Sequence, residues 1–274
     1  ARTVLRTLDM PEQNGCRSRE AHLMCAFHDF EPLCRIELGR AEVLRKDDEL
    51  ALAIEVLGQL TRTYPDLPMG HITLGDALRQ DDSYTEANAA YSTALDLLDP
   101  RDPRLWFVFY MRAIGFHLTD VWSEAEADFR SALALNPDQP QVLNYLGYSL
   151  VERREKLDEA LEMIETAVSA QPQNGAIVDS LGWAYFVLGR SDEAVEPMER
   201  AAELEPVDPI ILDHLGDVYW SVGRTLEARF QWQRALSFDP EPDEATRIKR
   251  KLEVGLDQVQ AEESGEAPAI ARDL

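Results

Sequence analysis

A regular spacing between prolines constrains this chain more than any other feature. Seven prolines are separated by 33, 35, 37, 35, 34 and 34 residues, namely Pro32, Pro65, Pro100, Pro137, Pro172, Pro206 and Pro240. Self-similarity at a fixed period of this length is typical of proteins that stack one small structural unit many times. A chain of 274 residues can therefore form one elongated array instead of several globular domains.

The last two periods repeat the same residue types in the same order. The matched positions are Leu181 and Leu215, Gly182 and Gly216, Tyr185 and Tyr219, Gly189 and Gly223, Arg190 and Arg224, Ala194 and Ala228, and Ala201 and Ala235. Ala194, Met198 and Ala201 are spaced by four and three residues, so they share one face of a helix. Each period therefore predicts two helices, and the second carries small residues on its packing face.

The glycines of each period predict two different backbone roles. Gly182 and Gly216 lie within the first helix, where glycine costs about 1 kcal/mol relative to alanine. Their presence predicts a contact with the neighbouring helix that leaves no room for a side chain. Gly189 and Gly223 follow the first helix and suit a turn with left-handed backbone. The closing proline ends the second helix because it has no amide hydrogen to donate.

This pattern resembles the tetratricopeptide repeat family, whose units carry a Leu-Gly pair and an aromatic residue on the first helix, small residues on the second, and a proline at the end. The resemblance covers residues 34–240 and gives six units. It implies an all-α fold, a right-handed α-solenoid of about six helical hairpins plus a C-terminal capping helix. One unit departs from the pattern, with Arg112-Ala113 in place of Leu-Gly. The first unit keeps only Ala41, Leu44, Ala53, Leu57 and Pro65.

The sequence outside the array predicts three further segments. Residues 1–33 break the pattern and are expected to be irregular or partly helical. Residues 241–257 read as a charged helix with Ala245, Ile248 and Leu252 on its inner side, the form expected of a terminal cap. Residues 258–274 are polar and acidic and are expected to be disordered. The chain begins at Ala1 without a methionine or a leader, which indicates a removed leader or an internal fragment and leaves the compartment open between bacterial cytoplasm and periplasm.

The charge balance limits the partners of this chain. It carries 51 acidic and 27 basic residues, a formal net charge of -24. Such a field repels nucleic-acid phosphates and anionic lipid head groups, so nucleic acid and bare membrane are poor candidates. A basic protein or peptide segment is favoured, although excess acidic residues also serve simply to solvate helix surfaces. The apolar stretches are too short for a membrane-spanning helix.

The sequence carries no recognised catalytic or cofactor motif. Phosphate-binding glycine loops, Cys-x-x-Cys pairs, His-Glu-x-x-His and Gly-x-Ser-x-Gly are all absent. Cys16, Cys25 and Cys34 are evenly spaced and lie near His22 and His28, but the spacing fits no common zinc pattern. The prediction is therefore a protein that is not an enzyme and that holds neither a metal ion nor a cofactor.

The resemblance also implies which residues meet a partner. In the family, the first helices line the concave face, and four positions of each helix usually contact the ligand. Carried over to this sequence, the predicted partner-binding residues are Phe107, Tyr110, Asn144, Tyr148, Asp179, Trp183, Phe186, Asp213, Asp217 and Trp220. Aromatic rings beside carboxylates suit an apolar segment that carries Arg or Lys. Members that clamp a ligand's terminal carboxylate use Lys and Asn at such positions, whereas this chain has Asp179, Asp213 and Asp217 there. A chaperone C-terminal tail is therefore disfavoured as the ligand.

These observations lead to one hypothesis with two alternatives. The hypothesis is a protein-binding scaffold or assembly adaptor, with Tyr148, Trp183 and Trp220 at the centre of the partner site. A run from 142 to 190 looks like proteobacterial tetratricopeptide proteins, which favours a bacterial setting. The alternatives are the non-catalytic repeat region of a larger enzyme and a homo-oligomeric structural protein. The same aromatics also suit packing between helices or against a terminal arm, and that reading stands beside the partner site.

Overall fold

The computed structural model describes residues 32–46 and 49–264, and every regular element in these ranges is a helix. The helices are α1 Pro32–Lys46, α2 Leu50–Thr63, α3 Pro68–Gln80, α4 Tyr84–Leu97, α5 Leu105–Leu118, α6 Trp122–Leu135, α7 Pro140–Glu152, α8 Leu157–Ala170, α9 Gly175–Val187, α10 Ser191–Leu204, α11 Pro209–Ser221, α12 Thr225–Leu236, α13 Pro242–Val254 and α14 Leu256–Ser264. The predicted all-α fold of helical hairpins is confirmed.

The described chain divides into two compact units that meet in the sequence between Val142 and Leu143. In the first unit, α1 packs on α2, α3 on α4 and α5 on α6, and each hairpin also contacts the next. In the second unit, α9 packs on α10 and α11 on α12, while α8 contacts α9 and α10 contacts α11. The first helices of neighbouring hairpins also touch, as α9 does with α11.

The glycines within first helices lie against a side chain of the second helix. A Cβ atom added to Gly182 would lie 2.6 Å from Met198 Cγ, and one added to Gly216 would overlap the indole of Trp232. The same arrangement joins α7 to α8, where a Cβ atom added to Gly147 would lie 2.8 Å from Ile164 Cγ1. The prediction of a contact without room for a side chain is confirmed. In the hairpins α7–α8, α9–α10 and α11–α12, a bulky side chain of the second helix therefore packs directly on the bare backbone of the first.

The turn glycines also have the predicted conformation. Gly189 and Gly223 have φ angles of 74° and 80°, in the left-handed region that glycine enters without a Cβ clash. The turn between α7 and α8 has one more residue than its counterparts. Arg154 and Lys156 have positive φ angles there, 54° and 47°. Arg154 and Lys156 therefore close this turn without a glycine, and their left-handed backbone costs about 1 kcal/mol each.

The unit that lacks the Leu-Gly pair replaces an apolar contact with an ionic one. Arg112 on α5 donates from Nε to Asp128 Oδ2 at 2.6 Å and from Nη2 to Oδ1 at 2.9 Å. Its Nη1 also donates to Ser92 Oγ at 2.9 Å. The paired fork geometry suits the planar guanidinium. Ala113 is fully buried, so alanine takes the place of the usual glycine in this hairpin.

A tyrosine, a glutamate and an arginine tie consecutive hairpins together in the second unit. The Tyr219 hydroxyl donates to Glu199 Oε1 at 2.8 Å, and Arg224 Nη1 donates to the same oxygen at 2.8 Å. The Arg224 guanidinium also lies 3.9 Å from the centre of the Tyr219 ring. Burial and the neighbouring Glu199 raise the pKa of Tyr219 to about 12. One period earlier, Tyr185 donates to Glu165 at 3.2 Å in the same way.

The C-terminal segment has two helices instead of the expected one. Of the residues predicted for the inner side of α13, Ile248 is buried and Leu252 is partly buried. Gly255 then reverses the chain with a φ of 87°, and α14 packs back through Leu256 and Val259, both buried. The expectation of disorder is therefore wrong for residues 258–264, because Val259 buries apolar area. Residues 265–274 and 1–31 lie outside the described ranges.

Candidate functional site

The ten predicted site residues fall on four first helices, α5 in the first unit and α7, α9 and α11 mostly in the second. On α5, Phe107 is 36% exposed. The centre of its ring lies 5.8 Å from that of Trp106, and the two rings are nearly perpendicular. Tyr110 is buried, and its ring lies 6.1 Å from that of Phe129 on α6. Phe107 is thus open to a partner, whereas Tyr110 packs within its own hairpin.

Asp179 on α9 is buried against a histidine of α11. His214 Nδ1 lies 3.0 Å from both carboxylate oxygens of Asp179. Burial alone lowers the pKa of His214, but the charge of Asp179 and the hydrogen bond to it outweigh burial, so the pKa is raised above its usual value. The predicted role of Asp179, a free acid facing a partner, is therefore replaced by an internal pair with His214.

Trp183 stands at the centre of an aromatic stack. Its ring lies 4.0 Å from the His214 ring at an interplanar angle of 16° and 5.0 Å from the Phe186 ring at 26°. Its indole Nε1 donates to Glu152 Oε1 at 2.5 Å. Trp183 and Phe186 are partly exposed and Glu152 is exposed. These three side chains therefore form an accessible surface at the C-terminal ends of α7 and α9, which we name the Trp183 surface.

Two predicted residues of α7 are closed to solvent. Tyr148 and Asn144 are each only 1% exposed. Burial raises the pKa of Tyr148 well above its usual value, and the charges of Glu152, Asp179 and Glu244 add to this effect. The Asn144 side chain has no hydrogen-bond partner for either its oxygen or its nitrogen within the part of the chain that the structure describes. Tyr148 is therefore not a contact residue at the centre of an open site.

The two acidic residues of α11 are paired with α13. Lys251 Nζ donates to Asp213 at 2.7 and 2.8 Å and to Asp217 at 2.6 and 2.7 Å. Lys251 and Asp217 are both fully buried. Arg247 Nη1 lies 3.7 Å from both carboxylates. The expectation that these acids face a partner's cation is wrong, because the protein supplies the cations from its own helix α13.

Trp220 is partly covered by the start of α14. Its Nε1 donates to Asp257 Oδ2 at 3.3 Å, and its ring lies 5.4 Å from that of Trp232. A Cβ atom added to Gly255 would overlap the Trp220 ring. The ring is still partly exposed, so one edge adjoins solvent while the rest packs on the two terminal helices.

Sequence reasoning did not single out Lys251, Arg247, His214 or Glu152. The first two were within its reach, because the period of 34 continues past the last proline. Lys251 follows Asp217 by 34 residues and Arg247 follows Asp213 by 34. Equivalent positions of consecutive first helices lie side by side in a stacked array, so the register itself pairs these charges. Glu152 had no such signal, since it sits at the end of a helix with an irregular turn.

The described residues give no sign of metal or membrane chemistry. Within 32–46 and 49–264, no group of three or more His, Cys, Asp or Glu side chains is placed to hold a metal ion. Cys34 is buried and free, while Cys16 and Cys25 lie outside these ranges. None of the described helices is long and apolar enough to cross a membrane.

Comparison with known proteins agrees with the repeat geometry. A sequence profile described as tetratricopeptide repeat matches residues 122–175, 150–209 and 180–245. Residues 122–245 of the chain therefore belong to the tetratricopeptide repeat family. The TPR repeat-containing protein PA4667 of Pseudomonas aeruginosa is 30% identical to it over 164 residues, which are 60% of this chain. The chain spans only 27% of the length of that relative.

Three solved structures share the fold at low sequence identity. A chain of the APC/C hetero-tetramer Cut9-Hcn1 has a TM-score of 0.69 at 16% identity, covering 86% of this chain and 46% of that one. PilF of Pseudomonas aeruginosa has a TM-score of 0.57 at 20% identity, covering 68% and 82%. The thermophilic TPR protein TTC0263 of Thermus thermophilus has a TM-score of 0.56 at 24% identity, covering 69% and 100%.

Proposed function

We propose that this tetratricopeptide repeat protein is a scaffold or adaptor that holds a segment of a partner protein on the Trp183 surface. The observation that carries the proposal is the stack of Phe186, Trp183 and His214 beside the exposed carboxylate of Glu152. A large ring that is fixed in place and partly open loses little conformational freedom on binding. Tetratricopeptide repeat domains generally mediate protein–protein interactions, which agrees with this role.

The chemistry of the Trp183 surface favours a partner segment with apolar and basic side chains. Trp183 and Phe186 offer ring faces and edges that bury apolar area. Glu152 uses one carboxylate oxygen for the Trp183 indole, which leaves the other oxygen for a lysine or arginine. Asp179, Asp213 and Asp217 take no direct part, because each is paired inside the protein. Asn144 and Tyr148 are buried and are not part of this surface.

The family relatives support a binding role without naming a partner. One structurally similar chain belongs to a hetero-tetramer, Cut9-Hcn1, so the fold serves in an assembly of different chains there. The relative that is 30% identical is named as a repeat-containing protein, and this chain spans 27% of its length. These facts agree with a binding role for the repeats, in this chain alone or as the non-catalytic region of a longer protein.

Replacing Trp183 with alanine tests the proposal directly. The bait is the purified chain, and crosslinked capture from the source organism identifies its partners. A purified partner is then titrated by calorimetry against wild type, W183A and F238A. Phe238 is 37% exposed and lies beyond α12, which makes it a matched aromatic control. The expected result is a loss of affinity of about tenfold or more for W183A and little change for F238A.

Two further measurements keep the test decisive. E152K reverses the charge that selects a basic partner, so its affinity is expected to fall at low salt by more than that of E152Q. Circular dichroism and melting temperature of W183A must stay close to those of the wild type. If W183A melts much earlier, Trp183 is a core residue. If partners bind W183A and wild type equally, the Trp183 surface is not the site.

A further inference from the structure

The outward face of α12 differs in chemistry from the faces of α8 and α10. The buried alanines Ala160, Ala194 and Ala228 give the common register of these three helices. Counted from them, the positions two before, two after and five after are Asp158, Glu162 and Glu165 on α8, Asp192, Glu196 and Glu199 on α10, and Leu226, Phe230 and Gln233 on α12. Along this stripe, the three acids of two consecutive hairpins are therefore replaced in the last hairpin by two apolar residues and a glutamine.

The two apolar residues of this stripe are open to solvent. Leu226 is 80% exposed and Phe230 is 58% exposed. They are one helical turn apart and point away from the buried side of α12, formed by Ala228, Trp232 and Ala235. Single exposed apolar residues are common on protein surfaces. Two large ones on the same stripe, at positions that carry acids elsewhere in the array, indicate a surface that another molecule covers.

Two arginines flank the stripe, and neither guanidinium is paired with an acid among the residues that the structure describes. Arg229 Nη2 donates to the Leu252 carbonyl oxygen at 2.5 Å, and Arg234 donates to Gln231 Oε1 and to the Pro206 carbonyl oxygen, each at 2.9 Å. Other arginines of this unit do have acidic partners, as Arg224 has Glu199. In a chain of net charge -24, such a pair of guanidinium groups on an apolar stripe is unusual.

An exposed valine extends this surface toward the preceding turn. Val207 is 59% exposed and directly follows Pro206, whose carbonyl oxygen accepts the Arg234 hydrogen bond. Leu226, Arg229, Phe230, Arg234 and Val207 together form what we name the α12 outer face. Its composition of aromatic, aliphatic and arginine side chains is that of interface centres, where Arg and Phe are enriched.

We propose that the α12 outer face is a second docking site, which takes an acidic amphipathic segment of a partner protein. Leu226 and Phe230 would be buried by the apolar side of that segment. Arg229 and Arg234 would bind its carboxylates, for which the planar guanidinium fork is well matched. The charge preference is opposite to that of the Trp183 surface, so the two sites choose different segments. A short acidic segment can meet the two arginines alone, whereas an extended anionic membrane would also face the acids of α10, such as Asp192 and Glu196.

The double variant L226D/F230E tests the apolar half of the site. It places on α12 the residues that α10 carries as Asp192 and Glu196, so the fold is expected to tolerate it. A phage-displayed library of random peptides is selected on the wild-type chain and counter-selected on this variant. The expected binders combine Asp or Glu with Leu, Phe or Trp. A synthetic binder is then expected to lose about tenfold or more in affinity for L226D/F230E and for R229Q/R234Q.

Controls separate this site from the Trp183 surface and from other occupants. W183A is expected to bind the selected peptide as the wild type does. The proposal is overturned if selection enriches Lys and Arg, or if the peptides bind the variants and the wild type equally. It is also overturned if sedimentation shows that the wild type is a dimer and L226D/F230E is a monomer, since a second copy of the chain would then cover the α12 outer face. Binding to phosphatidylserine vesicles that L226D/F230E abolishes would likewise replace it with a lipid site.

Discussion

Substitution of Gly182 tests the idea that bare backbone on α9 is what lets α10 pack closely. In G182A, the new Cβ would lie 2.6 Å from Met198 Cγ, 3.1 Å from its Cε and 3.2 Å from its backbone nitrogen. Rotation about the outer bonds of Met198 leaves Cγ in place, and no rotation of the side chain moves the backbone nitrogen, so the side chain alone does not relieve the crowding. The two helices must move apart, and Met198, which is fully buried, would lose contacts on every side.

The expected magnitude follows from two opposing terms. Overpacking of a well-packed core costs about 1–3 kcal/mol, while the better helix propensity of alanine returns about 1 kcal/mol. G182A is therefore expected to lower the free energy of unfolding by about 1 kcal/mol. G182L places a whole side chain where one carbon does not fit, so its loss is expected near about 3 kcal/mol or more. Urea unfolding followed by circular dichroism measures both.

Gly39 on α1 supplies the matched control. A Cβ atom added there meets no heavy atom within 4 Å, so only the propensity term remains. G39A is expected to stabilise α1 by about 0.5–1 kcal/mol. A double-mutant cycle of G182A with M198A adds a second check, because truncating Met198 removes the atom that clashes, and the two losses must then fall short of additivity. Equal or greater stability of G182A, or strict additivity, would refute the close-packing explanation.

Three other predictions concern charges and hydrogen bonds. K251M is expected to destabilise the protein by about 3–5 kcal/mol, since two carboxylates of α11 lose their cation in a buried site; urea unfolding measures it. Y219F removes the hydroxyl that bonds Glu199 and is expected to cost about 0.5–1.5 kcal/mol, seen in the same assay. The pKa of His214 is raised above 6.5 by Asp179, so this pair is expected to stabilise the fold fully below pH 6.5 and to lose that contribution as the pH rises through the folded-state pKa. Melting temperature against pH should show this trend in wild type and not in H214Q.

The hairpins and their internal contacts were predictable from the sequence because they depend on local and periodic features. A glycine in mid-helix, an aromatic or methionine 16 residues later and a turn glycine recur in register, and each has a geometric reason that needs no knowledge of the rest of the fold. The pairing of Gly182 with Met198 and of Gly216 with Trp232 follows from that register. The left-handed turns at Gly189 and Gly223 follow in the same way.

The accessibility of the candidate site was not predictable in the same way. A position on the inner side of a first helix faces either solvent or the next element of the chain, and only the fold decides which. Asp217 and Trp183 occupy equivalent positions, yet Asp217 is fully buried beneath Lys251 while Trp183 stays partly exposed. The same carboxylate that predicted an acidic groove therefore became part of the core. Its cation comes from α13, where the 34-residue register, and not the composition, places Lys251 beside it.

The end of the array is where this chain departs most from its own repeat, and the departures have a common physical cause. A repeated unit has a full repeat on both sides, whereas the hairpin α11–α12 is followed by α13 and the short helix α14, which do not repeat the pattern in full. On the inner side, α13 keeps the period and brings Lys251 to Asp217, which neutralises the acids. On the outer side, Leu226 and Phe230 replace acids and stay exposed. Closure of the array explains why Lys251 pairs with Asp217, but it does not explain why Leu226 and Phe230 are exposed. We therefore expect a partner to cover the α12 outer face.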